Sequence, residues 1–165
     1  MAWQTMNNLA AGDVVTEADM DALRNNLEKL EHFHNTDRVF TLVAGNETGP
    51  ATGSTSYTVL NNNYGTLHLI PAQIADNAAV YFRCQLRAQA GGVDAYATLF
   101  IDAVEVTGAE VTTNGTTYAF LTSGDLSAQF TGTSRVTVDV RAKNSSGAGS
   151  NAYVSNVYLL VVPTA

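Results

Sequence analysis

The chain has 165 residues, with 8 Lys and Arg against 15 Asp and Glu for a net charge of −7, a length that excludes a large multidomain enzyme. Charged residues make up 14% and hydrophobic residues 45%, which indicates a folded protein with an uncharged polar surface and excludes a disordered chain. Because no basic cluster is present to neutralise consecutive phosphates, we expect no nucleic-acid partner.

Cysteine content and the amino-terminal sequence restrict the class further. Cys84 is the single cysteine, so one chain holds neither a disulfide nor a Cys-based zinc site. Residues 1–6 have no basic segment ahead of an apolar run, and 18 consecutive apolar residues occur nowhere. We therefore expect no signal peptide, no membrane insertion and synthesis in the cytoplasm.

A helix is predicted to begin after Thr16, an N-cap residue with Asp19 three positions on as a short-armed capping box. Apolar residues then follow at the a and d positions of a heptad. They form the helix seam: Met20, Leu23, Leu27 and Leu30. A stripe this narrow favours contact with other helices, so we expect self-association; the alternative is that the seam packs on the chain's own sheet.

From residue 39 the hydrophobic period changes to two, which predicts strands. Residues 79–88 and 135–143 alternate without a break, and residues 154–162 are apolar enough for a central strand. Asn114-Gly115 predicts a hairpin with a type I′ turn within residues 111–120. Residues 144–151 form a predicted loop, and further strands are expected at 39–44, 56–60, 66–70, 96–102 and 126–130.

Eight or nine short strands at regular spacing predict the fold class: mainly β, an antiparallel β-sandwich that is jelly-roll-like, preceded by one short N-terminal α-helix. An immunoglobulin-like sandwich is the competing topology. The predicted domains are residues 1–38, an arm and helix for anchoring and oligomerisation, and residues 39–165, the sandwich.

The residues that could support catalysis or metal binding are sparse. His32 and His34 are the only close histidine pair, and two residues apart on a helix they point in nearly opposite directions, which prevents chelation of one ion. No G-x-S-x-G sequence is present. We therefore predict no metal site, no cofactor and no catalytic residue.

Two carboxylate pairs are the remaining route to an enzyme, because glycosidases use paired acids. They are Glu105 with Glu110, and Asp94 with Asp102. Acids that flank turns are ordinarily exposed surface residues, and we predict that the chain is not an enzyme. Loops such as residues 76–77 and 124–125 offer the carboxylate and carbonyl oxygens that calcium prefers. Their acidic residues do not have the spacing of a calcium-binding loop, so calcium binding stays open.

Tyrosines are the candidate ligand-facing residues, because aromatic rings are the usual platform for sugar stacking. Five lie near predicted strand ends or out of phase with the inward set: Tyr57, Tyr64, Tyr81, Tyr96 and Tyr153. The alternative is that these side chains cap the ends of the sandwich or line a subunit interface.

The amino-terminal segment resembles one found in tailed-bacteriophage virion proteins. The resemblance rests on Trp3, Gly12 to Thr16, Met20-Asp21 and Arg24 to Leu27 with Leu30. Asp21 and Asn25 stand where that family more often has Asn and Asp. The resemblance covers about 30 residues and does not separate a tail fibre or tip subunit from a capsid decoration or head-fibre protein.

The resemblance implies a virion structural protein, surface-exposed and homotrimeric. Trp3, Leu9 and the helix seam would contact sister chains or other virion proteins, while the sandwich faces outward, with a host surface glycan as a candidate ligand. The alternative function is a stand-alone carbohydrate-binding β-sandwich module. It requires exposed aromatic side chains and gives no role to the helix seam.

Overall fold

A computed structural model describes residues 16–34, 37–43, 51–60, 67–147 and 149–164, leaving aside the side chains of residues 25, 28–34 and 43. The chain divides into two compact units, Met1–Thr36 with Ala165, and Asp37–Thr164. The first unit contains helix α1, Glu17–His34. The second contains the strands.

Helix α1 begins at the predicted cap. The Asp19 carboxylate accepts the Thr16 backbone N–H at 3.0 Å, and the Asp19 N–H donates to the Thr16 hydroxyl at 3.3 Å. This reciprocal pair satisfies two helix-end donors and confirms the capping box. Arg24 and Asp21 form an exposed i, i+3 ion pair at 2.7 Å.

The second unit is a sandwich of two antiparallel sheets, which confirms the predicted fold class. Sheet I contains β1 (Arg38–Val43), β2 (Ala51–Thr52), β5 (Ala78–Ala88), β9 (Ala119–Thr122) and β11 (Ala152–Pro163). Sheet II contains β3 (Thr58–Val59), β4 (Leu67–Leu69), β6 (Ala95–Ile101), β7 (Val104–Glu105), β8 (Val111–Thr113) and β10 (Val136–Asn144). A short helix α2, Pro71–Ala75, precedes β5.

The strand order explains the predicted hydrophobic patterns. Sheet I runs β1-β11-β5-β9 with β2 also on β11, so β11 is central as its apolar run predicted. Sheet II runs β3-β10-β6-β7, with β4 on β10 and β8 on β6. The inward positions of β5, from Val80 to Ala88, have no exposed surface, and Val138, Val140 and Ala142 of β10 are buried opposite them. Alternation by two therefore located the core correctly.

The predicted hairpin at residues 111–120 is wrong. Strand β8 pairs with β6 in sheet II, whereas β9 pairs with β5 in sheet I. Gly115 has no positive φ; its N–H donates to the Thr113 hydroxyl at 3.1 Å, and its carbonyl accepts the Ala88 N–H at 2.8 Å. The longer-range bond to Ala88 accompanies a connection between the two sheets in place of a hairpin turn.

A turn with two consecutive positive φ angles lies elsewhere, at Asp102 (φ 46°) and Ala103 (φ 66°), between β6 and β7. The Asp102 carboxylate accepts the Thr137 N–H at 2.8 Å, and the Asp102 N–H donates to the Thr137 carbonyl at 2.9 Å. The start of β10 thus holds this turn without a glycine.

Residues 126–130 are not a strand. They contain a 3₁₀ turn, Ser127–Gln129, flanked by Leu126 and Phe130, which are 2% and 1% exposed. Apolar residues four positions apart share a face in a strand and also in a helical turn, so the periodicity is ambiguous here. The Leu126 N–H donates to the Val80 carbonyl at 2.7 Å, and this bond to β5 accompanies the tighter conformation.

The predicted loop at residues 144–151 is confirmed, because β10 ends at Asn144 and β11 begins at Ala152. Asn144 is 1% exposed and organises this loop with its side-chain amide. The amide nitrogen donates to the carbonyls of Ser150 and Thr52, and the amide oxygen accepts the N–H groups of Ser146 and Gly147.

Among the described residues, no helix is long and apolar enough to cross a bilayer.

Candidate functional site

The helix seam is exposed where its side chains are described. Met20, Leu23 and Leu27 are 55%, 39% and 51% exposed. Leu30 lies within α1, but its side chain is outside the described ones, as are Trp3 and Leu9 altogether. Three large apolar side chains at heptad spacing on one capped helix therefore form an exposed apolar stripe rather than scattered exposure.

The tyrosines predicted to face a ligand are divided between the two sheets. Tyr57 and Tyr96 lie against the outer face of sheet II, and Tyr81 and Tyr153 lie on the outer face of sheet I. Tyr64 lies outside the described residues. The fold therefore does not bring the five predicted rings to one site.

On sheet II, the two tyrosines enclose a lysine. The Lys143 ammonium lies 4.1 Å from the ring centroid of Tyr57 and 4.8 Å from that of Tyr96, and 3.3 Å from the Glu110 carboxylate. The Tyr57 hydroxyl donates to the same carboxylate. Burial, reinforced by this bond to Glu110, raises the pKa of Tyr57 well above its ordinary value.

The second cation on this face is also paired. The Arg141 guanidinium lies 3.1 Å from the Asp139 carboxylate and 3.9 Å from the centroid of the Phe100 ring. Both cations on the outer face of sheet II therefore have a carboxylate and an aromatic ring as partners. This arrangement is internally neutralised, which is typical of a structural cluster.

The outer face of sheet I carries a different arrangement, with two aromatic rings beside one arginine and a third ring beside another. The Arg87 guanidinium lies 3.9 Å from the ring centroid of Tyr153 and 5.2 Å from that of Tyr118, and Arg83 lies 5.7 Å from Tyr158. We define the arginine–tyrosine face by eight residues: Arg83, Gln85, Arg87, Tyr118, Phe120, Tyr153, Asn156 and Tyr158.

Strand register produces this face. The outward positions of β5 include Arg83, Gln85 and Arg87; Arg87 pairs with Tyr153 of β11, and Arg83 pairs with Tyr158. On the other side of β5, Gln85 pairs with Phe120 of β9, whose side chain is 58% exposed. Each of these three cross-strand rows thus places a polar side chain of β5 beside an aromatic ring of a neighbouring strand.

A β-bulge sets the phase of β11 on this face. The register shifts between Ser155, opposite Gln85, and Tyr158, opposite Arg83, so one extra residue lies in β11. Asn156 takes up the bulge with φ 46°, and its amide nitrogen donates to Gln85 Oε1 at 2.6 Å. Without the extra residue, Val157 would face outward and Tyr158 inward.

The charges on this face lack carboxylate partners. Among the described residues, no carboxylate lies within 4.0 Å of Arg83 or Arg87; Arg83 Nε donates to the Thr122 hydroxyl at 3.0 Å. The chain has nearly twice as many acids as bases. Two half-buried guanidinium groups, with no carboxylate beside them in the part of the chain that the structure describes, are consequently the notable electrostatic feature of sheet I.

Three of the four acids considered for catalysis make structural contacts, and the fourth is exposed. Glu110 bonds Tyr57 and Lys143, while Asp94 accepts the Tyr96 hydroxyl at 3.3 Å, and Asp102 holds its turn. Glu105 lies exposed on β7. In the part of the chain that the structure describes, no three His, Cys, Asp or Glu side chains cluster as metal ligands.

Asp125, one of the loop acids considered for calcium, is used within the fold. Its carboxylate accepts the N–H groups of Val80 at 3.0 Å and Ser127 at 2.9 Å, and the Ser127 hydroxyl at 3.1 Å. The bond from the Ser127 backbone N–H is the main cause that lowers the pKa of Asp125. By accepting from both Ser127 and Val80, the Asp125 carboxylate ties the 3₁₀ turn to the beginning of β5.

Sequence reasoning missed most of the arginine–tyrosine face. The alternation in residues 79–88 does predict that Arg83, Gln85 and Arg87 point outward. It does not reveal which rings lie opposite them, because those belong to strands 30 and more residues away along the chain.

Comparison with known proteins gives no family. No family model matches the chain, and no curated protein matches it. Among solved structures, the chain is similar to the CBM36-1 domain of a multidomain xylanase from the hindgut metagenome of Trinervitermes trinervoides, at 12% identity and a TM-score of 0.43, covering 79% of this chain and 99% of that one.

Virus particles also occur among the similar structures. The T=1 particles derived from infectious bursal virus match at 13% identity and a TM-score of 0.48, and infectious bursal disease virus of the Gx strain at 12% and 0.43. Each alignment covers 79% of this chain, which spans about a third of those chains. At TM-scores below 0.5 these likenesses carry no argument about function.

Proposed function

We propose that the chain is a non-enzymatic structural protein of a tailed-phage virion, which self-associates as a homotrimer through helix α1. The observation that carries the self-association is the exposed helix seam, at Met20, Leu23 and Leu27. Burying these side chains against sister helices removes apolar surface from water, at about 25 cal/mol per Å².

The helix is too short to associate without further contacts. It has 18 residues, or about five turns, and isolated helices of this length are marginal in water. The sandwich or a docking protein therefore has to contribute to assembly. A closed three-fold arrangement satisfies every seam equally and leaves no seam unpaired.

The resemblance of the amino-terminal segment supplies the virion location in this proposal. Trp3, Leu9 and the helix seam contact sister chains or another virion protein, and the sandwich faces outward. Tail fibre or tip and capsid decoration are both compatible with this arrangement. Purified particles from the phage that encodes the chain should contain it, which peptide mass spectrometry tests directly.

The solution mass tests self-association. By light scattering on a sizing column, we expect about three times the 17.5 kDa chain mass, and a chain beginning at Val39 should be a monomer. The double variant Leu23→Ser/Leu27→Ser should also be monomeric while keeping its β-sheet circular dichroism. Arg24→Gln, on α1 but outside the seam, serves as the matched control and should stay trimeric. A monomeric wild-type chain contradicts a homotrimer formed by the isolated chain.

A second candidate function, glycan binding by the sandwich, is favoured by the arginine–tyrosine face. Aromatic side chains there flank two guanidinium groups and an amide pair on the outer face of sheet I. Rings provide surfaces for sugar faces, while the polar groups bond hydroxyls. A glycan array probed with the full chain tests this candidate, and loss of binding in Tyr153→Ala supports the assignment to this face.

A further inference from the structure

We propose that the arginine–tyrosine face binds an acidic polysaccharide, with sugar carboxylates paired to Arg83 and Arg87. The inference rests on the second candidate function and names its ligand class. It does not depend on the virion or trimer proposals, since its residues all lie on β5, β9 and β11 or next to them.

Charge pairing is the first argument. Sheet II holds Arg141 and Lys143 on its outer face, and each has a carboxylate within 3.3 Å. Sheet I holds Arg83 and Arg87, and no described carboxylate lies within 4.0 Å of either. Two such charges on one face of an acidic chain form positive sites that complement an anionic ligand.

The arginines are also held ready for a carboxylate. Tyr153 and Tyr118 contact the Arg87 guanidinium within cation–π distance, which restricts its rotation before any ligand binds. A cation–π contact uses no N–H donor, so the N–H edges of the Arg87 guanidinium stay available for hydrogen bonds. Those edges match a carboxylate in a two-point hydrogen bond, and the restricted side chain loses less entropy on binding.

The spacing of the polar groups suits an extended ligand. Arg83 and Arg87 are four residues apart on β5, so their Cα atoms are about 13 Å apart at 3.3 Å per residue. Between them lie Gln85 and Asn156, joined by a 2.6 Å hydrogen bond. An extended acidic sugar chain can present carboxylates to the two arginines and hydroxyls to the amides between them.

A polysaccharide fits this face better than an acidic peptide. Peptides that bind sheets usually pair with a free strand edge, but β5 has β11 on one side and β9 on the other. Phe120 is 58% exposed beside Gln85, and an open aromatic ring is a surface for the apolar face of a sugar.

Titration calorimetry on the full chain tests the proposal. The probes are polygalacturonate, hyaluronan and polysialic acid, each compared with its carboxyl-reduced form, which keeps the sugar backbone without the charge. We expect at least one acidic polymer to bind, at least tenfold more tightly than its reduced form, and the affinity to fall as salt is raised. Poly-L-glutamate is the control for binding of any polyanion.

Variants locate the site. Arg83→Gln and Arg87→Gln should each weaken binding about tenfold, and Arg87→Lys should weaken it severalfold because lysine lacks the planar fork. Arg135→Gln is the matched control: it removes one positive charge from an exposed position outside this face and should change affinity less than twofold. A cooperative thermal transition above the temperature of the binding assay establishes that each variant is folded.

Three outcomes overturn the inference, and they are distinguishable. Equal binding of acidic and reduced polymers leaves glycan binding intact but removes the acidic class. Equal binding of poly-L-glutamate, or equal weakening by Arg135→Gln, indicates a non-specific charge effect. Binding of none of the polymers, together with an empty glycan array, removes the glycan-binding function as well.

Discussion

Arg87 and Tyr153 are cross-strand neighbours on β5 and β11, and the guanidinium carbon of Arg87 lies 3.9 Å from the centroid of the Tyr153 ring. The contact joins β5 to its neighbour β11 on the outer face of sheet I, which is the face opposite the core. It therefore has a stability contribution that can be measured without any ligand.

A double-mutant cycle measures that contribution. The variants Arg87→Gln and Tyr153→Leu should show a coupling of about 0.5 to 1 kcal/mol in the free energy of unfolding, the range for partly exposed cation–π pairs. Urea unfolding gives the values. The control cycle of Arg83→Gln with Tyr153→Leu joins side chains from different rows and should be additive within about 0.5 kcal/mol. A coupling near zero for Arg87 and Tyr153 contradicts the contact.

Asn144 should be a large contributor to the stability of the loop before β11. Replacing it with alanine leaves buried carbonyl and N–H groups of this loop without a partner, so Asn144→Ala should lower the free energy of unfolding by about 2 kcal/mol. Asn114→Ala, at an exposed loop position, should change it by less than about 0.5 kcal/mol. Equal effects of the two substitutions in urea titrations disagree with this assignment.

The capping box should control the first turn of α1. Thr16→Ala removes the hydroxyl that accepts the Asp19 N–H and should cost the helix about 1 kcal/mol. Hydrogen exchange of the Asp19 and Met20 amides should accelerate severalfold. Glu17→Gln keeps the cap and changes only a nearby charge, so its effect should be clearly smaller. If both variants exchange alike, the cap does not determine the helix start.

Cys84 should be unreactive in the folded chain. Its side chain is fully buried, and burial raises the pKa of its thiol from 9.0 to about 12. A thiol reagent at pH 8 should label it only after unfolding in denaturant. Rapid labelling of the native chain is the contrary result.

The raised pKa of Cys84 also makes the free energy of unfolding depend on pH in the alkaline range. Between pH 9 and about 12 the unfolded chain has lost the thiol proton while the folded chain retains it. The free energy of unfolding should therefore fall as pH rises, by about 1.4 kcal/mol per unit from this group. Cys84→Ala should reduce the slope, and an unchanged slope assigns the dependence to other groups such as tyrosines.

Ala103 should be a strained position. Its φ of 66° is in the left-handed region, which costs a residue with a Cβ about 1 kcal/mol. Ala103→Gly should therefore raise the melting temperature, or leave it unchanged where the entropy of glycine offsets the relief. Ala128→Gly, within the 3₁₀ turn, should lower it. A decrease for both variants of similar size contradicts the strain at Ala103.

Local signals in the sequence predicted several elements correctly. The cap at Thr16, the alternation of residues 79–88 and 135–143, and the apolar run of β11 depend on neighbouring residues or on a periodic pattern. Burial of one strand face follows from such a pattern alone, because side chains alternate across a strand. The sandwich and its core were therefore predictable.

Contacts with residues distant in the chain determined the features that the sequence did not predict. Residues 111–120 form two strands of different sheets because their hydrogen bonds go to β5 and β6 rather than to each other. The bulge at Asn156 exists because β11 must keep Val157 in the core and Tyr158 outside, which depends on its register with β5.

The start of the helix, the heptad spacing of its seam, and the outward position of Arg83 and Arg87 follow from the amino-acid sequence alone. The packing of the two sheets determines that Arg87 lies over Tyr153 and Tyr118 and that Arg141 and Lys143 are neutralised. It also leaves Arg83 and Arg87 without a carboxylate beside them among the described residues. The physical reason is that strand alternation is a property of consecutive residues, whereas register and charge pairing join residues across strands through contacts that no local pattern encodes.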